Sequence, residues 1–150
     1  MRVLVDADAC PGRDIIERVA GKYGVPVIMY CDTNHVLRSA YSEIKYIESG
    51  FQSVDIAIAN DSRAGDIIVT QDYGVAAMVL GKKAYAISPR GNIYDDDNID
   101  RLLFERHISA KVRKGGGRTT GHKKRGSEDD ERLEKNLKKI FIQATGGDKS

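Results

Sequence analysis

Cysteine is scarce in this chain: only Cys10 and Cys31 occur among 150 residues. Their spacing is neither C-x-x-C nor that of a zinc ribbon, so a disulfide scaffold is not indicated and a reducing cytoplasm is the simplest setting. No segment approaches the roughly 18 consecutive apolar residues that a membrane span needs, and Met1 leads straight into "VLV" without a charged and apolar leader. Neither a membrane nor an export route is expected. There is no G-x-G-x-x-G dinucleotide fingerprint. Gly116 and Gly121 have the separation of a P-loop, but His122 stands where the lysine is needed and no strand feeds that loop into a helix.

What is present fits one ordinary domain, with 41% apolar residues. The net charge of +2 conceals strong zoning: "KVRKGGGRTTGHKKRG" (111–126) holds seven Lys or Arg and no acid, and "SEDDERLE" after it holds five acids. The basic zone is the part suited to phosphate. Short apolar runs alternate with helical patterns, which predicts a parallel sheet covered on both faces. Strands are expected at "VLV", "VPVIMYC", "EIKYIES", "IIVT" and "AYAIS". Helices are expected after Pro11, over "SVDIAIAND" with Ser53 as cap, and over "YGVAAMVLGKK" with Val75, Met78, Val79 and Leu80 inward. A fourth runs from about Asn98 to Ala110 with Ile99, Leu102, Leu103 and Ile108 inward. "DTNHVLRSAYS" and "PRGNIYDDD" read as loops. A last helix over 127–143 has a capping box of Ser127 and Asp130, and its stripe of Leu133, Leu137, Ile140 and Phe141 predicts docking on the domain of residues 1–126. Residues 144–150 read as a frayed tail.

"VLVDADACPG" raises the functional question, because a buried strand ends in two carboxylates. In an open parallel sheet, ligands bind beyond the carboxyl ends of the strands where strand order reverses. Asp6 and Asp8 follow the first strand, Asp72 follows the fourth, and Asp55 sits early in the helix after the third. Right-handed crossovers gather such positions at one end of the sheet. Two carboxylates about 4 Å apart repel by roughly 4 kcal/mol at an effective dielectric near 20, and a divalent cation removes that repulsion. Mg2+ or Mn2+ accepts such oxygen ligands, activates water and stabilises charge on a phosphodiester. The competing explanation is that Asp8, Asp55 and Asp72 serve as helix caps or N-terminal acids. Capping leaves Asp6 unexplained.

"VDADACPG", "SVDIAIAND", "GDIIVTQDYGVAAMVL", "SPRGNIY", "NIDRLL" and "RKGGGRTTG" together resemble the bacterial YaiI/YqxD family, also called UPF0178 or DUF188. The resemblance runs from Arg2 to about Gly121. It implies a PIN-like, three-layer α/β/α fold with a central, mostly parallel sheet of about five strands. It also implies an acidic pocket of the Mg2+- or Mn2+-dependent ribonuclease type, with RNA favoured over DNA. By that resemblance, Asp6 matches the first PIN acid, Asp55 the helix-borne acid, and Asp72 the acid of "T-x-D"; Asp8 belongs to the family's own "DADACP". The PIN glutamate before Asp55 has no counterpart, since Glu43 and Glu48 flank a strand. Gly121-His122 replaces a common Gly-Pro.

The residues also admit other chemistry. Asp6-x-Asp8 is similar to the start of haloacid-dehalogenase phosphatases, although Cys10 replaces their Thr or Val and Asp66 precedes its strand. A zinc site of Cys10, Cys31 and His35 lacks paired spacing. His107 and His122 read as solvated residues. Arg90 would face the acidic end and clamp a phosphate, or else pair with Asp95–Asp97. Lys111, Arg113, Lys114, Arg118, Lys123, Lys124 and Arg125 are flanked by glycines that let a chain follow a phosphate backbone. Two leading expectations result: a metal-dependent nuclease acting through Asp6, Asp55 and Asp72, or a non-catalytic nucleic-acid-binding module using the basic loop.

Overall fold

Val3, Val5, Ile67 and Val69 face one side of a sheet and Leu4 and Ile68 the other, and all six are fully buried. That alternation inside uninterrupted apolar runs is the mark of strands covered on both faces. The computed structural model describes residues 1–48, 50–114 and 124–146. Its strands are β1 (Val3–Asp6), β2 (Val27–Asp32), β3 (Glu43–Ile47), β4 (Ile67–Val69), β5 (Tyr85–Ile87) and β6 (Ile93–Tyr94). They form one sheet in the order β3-β2-β1-β4-β5-β6, parallel except for the β5–β6 pair. The sheet therefore has six strands among the described residues, not about five. The sixth lies inside the expected loop "PRGNIYDDD", because two residues carry too little periodicity to announce a strand.

The helices are α1 (Arg13–Lys22), α2 (Val54–Asp61), α3 (Tyr73–Gly81), α4 (Ile99–Lys114) and α5 (Ser127–Thr145). α1 and α5 cover the face of Val3 and Val5, while α2, α3 and α4 cover the face of Leu4, which makes three layers. Ile15, Ile16, Val19, Ala20 and Tyr23 all turn inward as the spacing predicts, and Gly24 at φ +68° stops α1. α1 begins later than expected: Gly12 is its N-cap and Pro11 precedes it. The β2–β3 connection is a loop, as read from the sequence. Ser39 and Ser42 tie it to Glu17, and Tyr41 ties it to the Val25 carbonyl.

Two helix faces differ from expectation. In α3 the buried residues are Val75, Ala76 and Val79, and Met78 is 54% exposed. "YGVAAMVL" is apolar almost all round, so its pattern does not single out one face. In α4, Ile99 is buried and Leu102 and Leu103 partly so, but Ile108 is exposed. Since β6 runs antiparallel, the chain leaves it at the amino-terminal edge, and α4 climbs back to the opposite edge. Its second half outruns the sheet. That half extends to Lys114, beyond the expected end at Ala110.

α5 docks through Leu133, Leu137, Ile140 and Phe141, and the Phe141 ring stacks on Tyr23 with centroids 5.0 Å apart. The cap differs from the expected box. Gly126 is the N-cap and Asp129 accepts its backbone N–H at 3.0 Å, while Ser127 is already helical and Asp130 pairs with Arg125 at 2.6 Å. That N–H, followed by Arg132, holds the Asp129 carboxyl below the usual range. Three successive carbonyls then anchor the helix. Pro89 accepts from Arg125 at 2.7 Å, Arg90 from Arg132 at 3.1 Å and Gly91 from Asn136 at 2.7 Å.

Gly91 has φ +88°, and a Cβ there would lie 2.4 Å from the Leu133 nitrogen. Gly65 has a similar φ of +86° with open space around it. Gly65→Ala should therefore cost about 1 kcal/mol of backbone strain. Gly91→Ala should cost roughly 1–3 kcal/mol more through overpacking against α5. Urea unfolding of the two variants checks this: equal losses would mean that the close approach is not rigid.

Candidate active site: an acidic rim where strand order reverses

β1 has β2 on one side and β4 on the other, so strand order reverses between β1 and β4. That crevice is where an open α/β sheet offers room at its carboxyl edge. Val5 pairs with Val69, which sets Asp6 level with Thr70 one residue further on. Thr70 is buried; its Oγ1 accepts the Asp72 N–H at 3.0 Å, and its carbonyl accepts from the Tyr94 hydroxyl at 3.2 Å. The turn that presents Asp72 is thus fixed from below. α2 begins on the same edge, with Asp55 in its first turn.

The four acids share one field. The Asp6 carboxyl is pushed up to about 6, first by burial and then by the charges of Asp8 and Asp55, with Asp72 adding to the same push; the Asp8 backbone N–H opposes it. Asp6 makes no side-chain cap, and the charges of all three other acids act on it. The other acids have additional duties. Asp8 does not cap α1: its Oδ2 accepts the Asp32 N–H at 3.0 Å and its Oδ1 lies 3.1 Å from His35 Nδ1. Asp72 does cap α3, accepting the Val75 N–H at 3.0 Å, and it lies 3.7 Å from the Arg106 guanidinium. For Asp72 both expectations, cap and rim residue, describe the same side chain.

The Arg106 guanidinium and the His35 imidazole lie beside these acids. Arg106 is visible in the sequence only as one charge on a helix, and it reaches Asp72 because α4 climbs back to this edge. Among the described residues no three His, Cys, Asp or Glu side chains converge into a ready-made metal cage. The donors are all hard oxygens. They suit a cation that keeps several waters and takes one or two carboxylates, as Mg2+ does, better than a closed cage. Cys10 and Cys31 are buried in the core, and burial pushes both thiols up, Cys10 to about 11.

The expected phosphate-binding residues divide. Arg90 lies 3.8 Å from Asp129. Arg125 is held by Asp130 and the Pro89 carbonyl. Lys111 and Lys124 are exposed. Arg113 and Lys114 end α4. Arg118, His122 and Lys123, with the rest of 115–123, lie outside the described residues, as do 147–150 of the expected tail. Among the described residues, no helix is long and apolar enough to cross a membrane.

The opposite edge holds a groove of about 510 Å³ lined in part by Arg2, Tyr30, Lys45, Asp61 and Arg63. Arg2, Lys45 and Asp61 among them are already paired. Asp61 accepts from Lys45 at 2.6 Å and from the Tyr30 hydroxyl at 2.8 Å, and these bonds keep its carboxyl low although burial opposes them. Asp66, which a haloacid-dehalogenase site would need near Asp6, is bound there to Arg2 at 2.6 Å.

The molecule is thus an open, mostly parallel α/β sheet with an acidic rim at its strand-order reversal. The chain belongs to the family described as "Uncharacterized BCR, YaiI/YqxD family", whose model matches residues 4–143. A UPF0178 protein of Clostridium tetani is 65% identical over 95% of this chain and 96% of its own length. Relatives from Clostridium novyi and Clostridium acetobutylicum are 64% and 52% identical, over 96% and 95% of this chain and 97% and 98% of their own. Among solved structures, Rae1 (YacP) from Bacillus subtilis aligns with a TM-score of 0.44 and 18% identity over 76% of this chain and 80% of its own. A mutant of the same protein gives 0.41 and 21%, over 77% and 84%. That likeness is too distant to assign a site or an activity.

The Asp6 carboxyl yields a pH prediction. A raised folded-state value adds stability below the unfolded value and loses it as pH rises through about 6. Near pH 3.5, below the ordinary carboxylate value, wild type and Asp6→Asn should therefore melt at similar temperatures in metal-free buffer. Near pH 8, Asp6→Asn should be the more stable, by on the order of 2 kcal/mol. A stability gap that ignores pH would show that Asp6 is not repelled by its neighbours.

Proposed function

We propose that this protein is a divalent-metal-dependent hydrolase of nucleic-acid phosphodiesters, with RNA the favoured substrate. One observation carries the reading: Asp6 is held in a partly buried site against the charges of Asp8, Asp55 and Asp72. Natural folds seldom keep such repulsion without a use for it. A bound Mg2+ or Mn2+ would supply neutralising charge and a water of lowered pKa.

Around that ion the chain's own residues divide the work. Asp6, Asp8, Asp55 and Asp72 would hold the ion, and Asp6, Asp55 and Asp72 would orient the attacking water. The buried Thr70 and the first turn of α3 fix Asp72, so its carboxylate needs little reorganisation. Arg106 lies beside Asp72 where a phosphate oxygen would enter. From Arg106 to Lys114 the helix rises about 12 Å. That end of the helix carries Lys111, Arg113 and Lys114, and they, with Arg118, Lys123 and Lys124 of the same basic run, would contact the phosphate backbone. Arg90 and Arg125 stand where α5 meets the 89–91 turn, Arg90 beside Asp129 and Arg125 beside Asp130.

A second reading has its own support. Asp8 and Asp72 already have structural work, with the Asp32 N–H and with the first turn of α3. In a binding module without catalysis those duties would be sufficient, and the basic segment alone would hold the nucleic acid.

One experiment separates the two. Labelled single-stranded RNA with Mn2+ should be cut by wild type and by Asp100→Asn, a change at the far end of α4. It should stay intact with EDTA or Asp6→Asn, whose rate should fall by at least ~100-fold, the scale of one lost electrostatic group in a hydrolase. Calorimetric Mn2+ binding should disappear in Asp6→Asn. RNA binding that is steeply salt-dependent, indifferent to EDTA and free of cleavage would establish the second reading instead.

A further inference from the structure

Phe51 is 85% exposed, more than any other large apolar side chain among the described residues. Scattered surface hydrophobics need no explanation; the position of this one does. It sits in the turn between β3 and α2, and its N–H donates to the Glu48 carbonyl at 3.1 Å. β3 is parallel to β2, so this turn leaves the sheet at the carboxyl edge, the edge of the acidic rim. Asp55 follows four residues later, which limits the separation of the two Cα atoms to about 14 Å.

The rim is graded along the sheet. Beyond β3 stands the bare phenyl ring of Phe51, and beyond β2 stand His35 and Val36, the latter 80% exposed. The carboxylates follow at β1 and β4, and Arg106 comes last, from α4. A strand laid along this edge meets an aromatic face first, the acids next and a cation last. A duplex would present phosphates and groove edges to such a surface and offer the ring nothing to stack on. An unpaired strand offers the flat face of a base.

We propose that Phe51 is the stacking platform for an unpaired base of the substrate, so that the rim acts on single strands; this rests on the nuclease reading above. Phe51 is a positioning residue, since it touches the strand and not the reacting phosphate. Removing one base stack weakens binding about 5- to 100-fold.

The chain contains no tryptophan, so Phe51→Trp creates a unique fluorophore at the platform. In EDTA, single-stranded oligoadenylate should quench that fluorescence as the anisotropy of a fluorescein-labelled copy reports binding, while a hairpin duplex should leave it unquenched. With Mn2+, Phe51→Ala and Phe51→Leu should raise KM for the single strand about 5- to 100-fold with a much smaller change in kcat, and Phe51→Trp should keep the wild-type KM. Bound oligoadenylate without quenching, equal quenching by the duplex, or a wild-type KM in Phe51→Ala would each overturn the platform and leave the nuclease reading standing. A wild-type protein that neither cuts nor binds RNA overturns both.

Discussion

The parallel pairing of β1 with β4 is the constraint on which the rest of this molecule depends. It joins residues more than sixty positions apart, Val3 with Ile67 and Val5 with Val69, and it does so at the centre of the sheet. Once that register is set, Val3, Val5, Ile67 and Val69 supply the middle of one core, and Leu4 and Ile68 the middle of the other. A slip of one residue would exchange the two faces. The same register carries Asp6 and Asp72 to the same edge, so the packing of the core and the placing of the acids are one decision.

Much of this was legible because long apolar runs and helical spacing leave few alternatives. "VLV", "VIMYC" and "IIV" have no polar face to expose, and the α5 stripe of Leu133, Leu137, Ile140 and Phe141 can be satisfied only by docking. Elements with little periodicity were not legible. The two residues of β6 form a strand only because β5 is there to pair with them. The inward face of α3 is chosen by the sheet, since its own sequence is apolar nearly all round. The α5 cap went to Gly126 and Asp129 because Arg125 claims Asp130.

The site followed the same division. That Asp6, Asp8, Asp55 and Asp72 share a field follows from where each stands relative to a strand end, and sequence position gives that. Arg106 had no such marker, because its approach to Asp72 depends on the antiparallel turn into β6 and the return path of α4. Likewise, the internal use of Arg125 contrasts with its place in a run of seven basic residues. Charge composition counts that side chain with the others, and only the fold shows it held by Asp130 and the Pro89 carbonyl.

The anchoring of α5 on the carbonyls of Pro89, Arg90 and Gly91 bears on how the protein is born. One face of the sheet is covered by α1 alone until the last helix arrives, so Tyr23 and the apolar sides of β1 and β4 stay open to water while the ribosome is still at work. The nascent chain can build the α2–α3–α4 layer early, but it cannot seal the other side before residue 141 has emerged. Final closure of that face therefore waits for α5, and until it docks the unfinished layer exposes apolar surface.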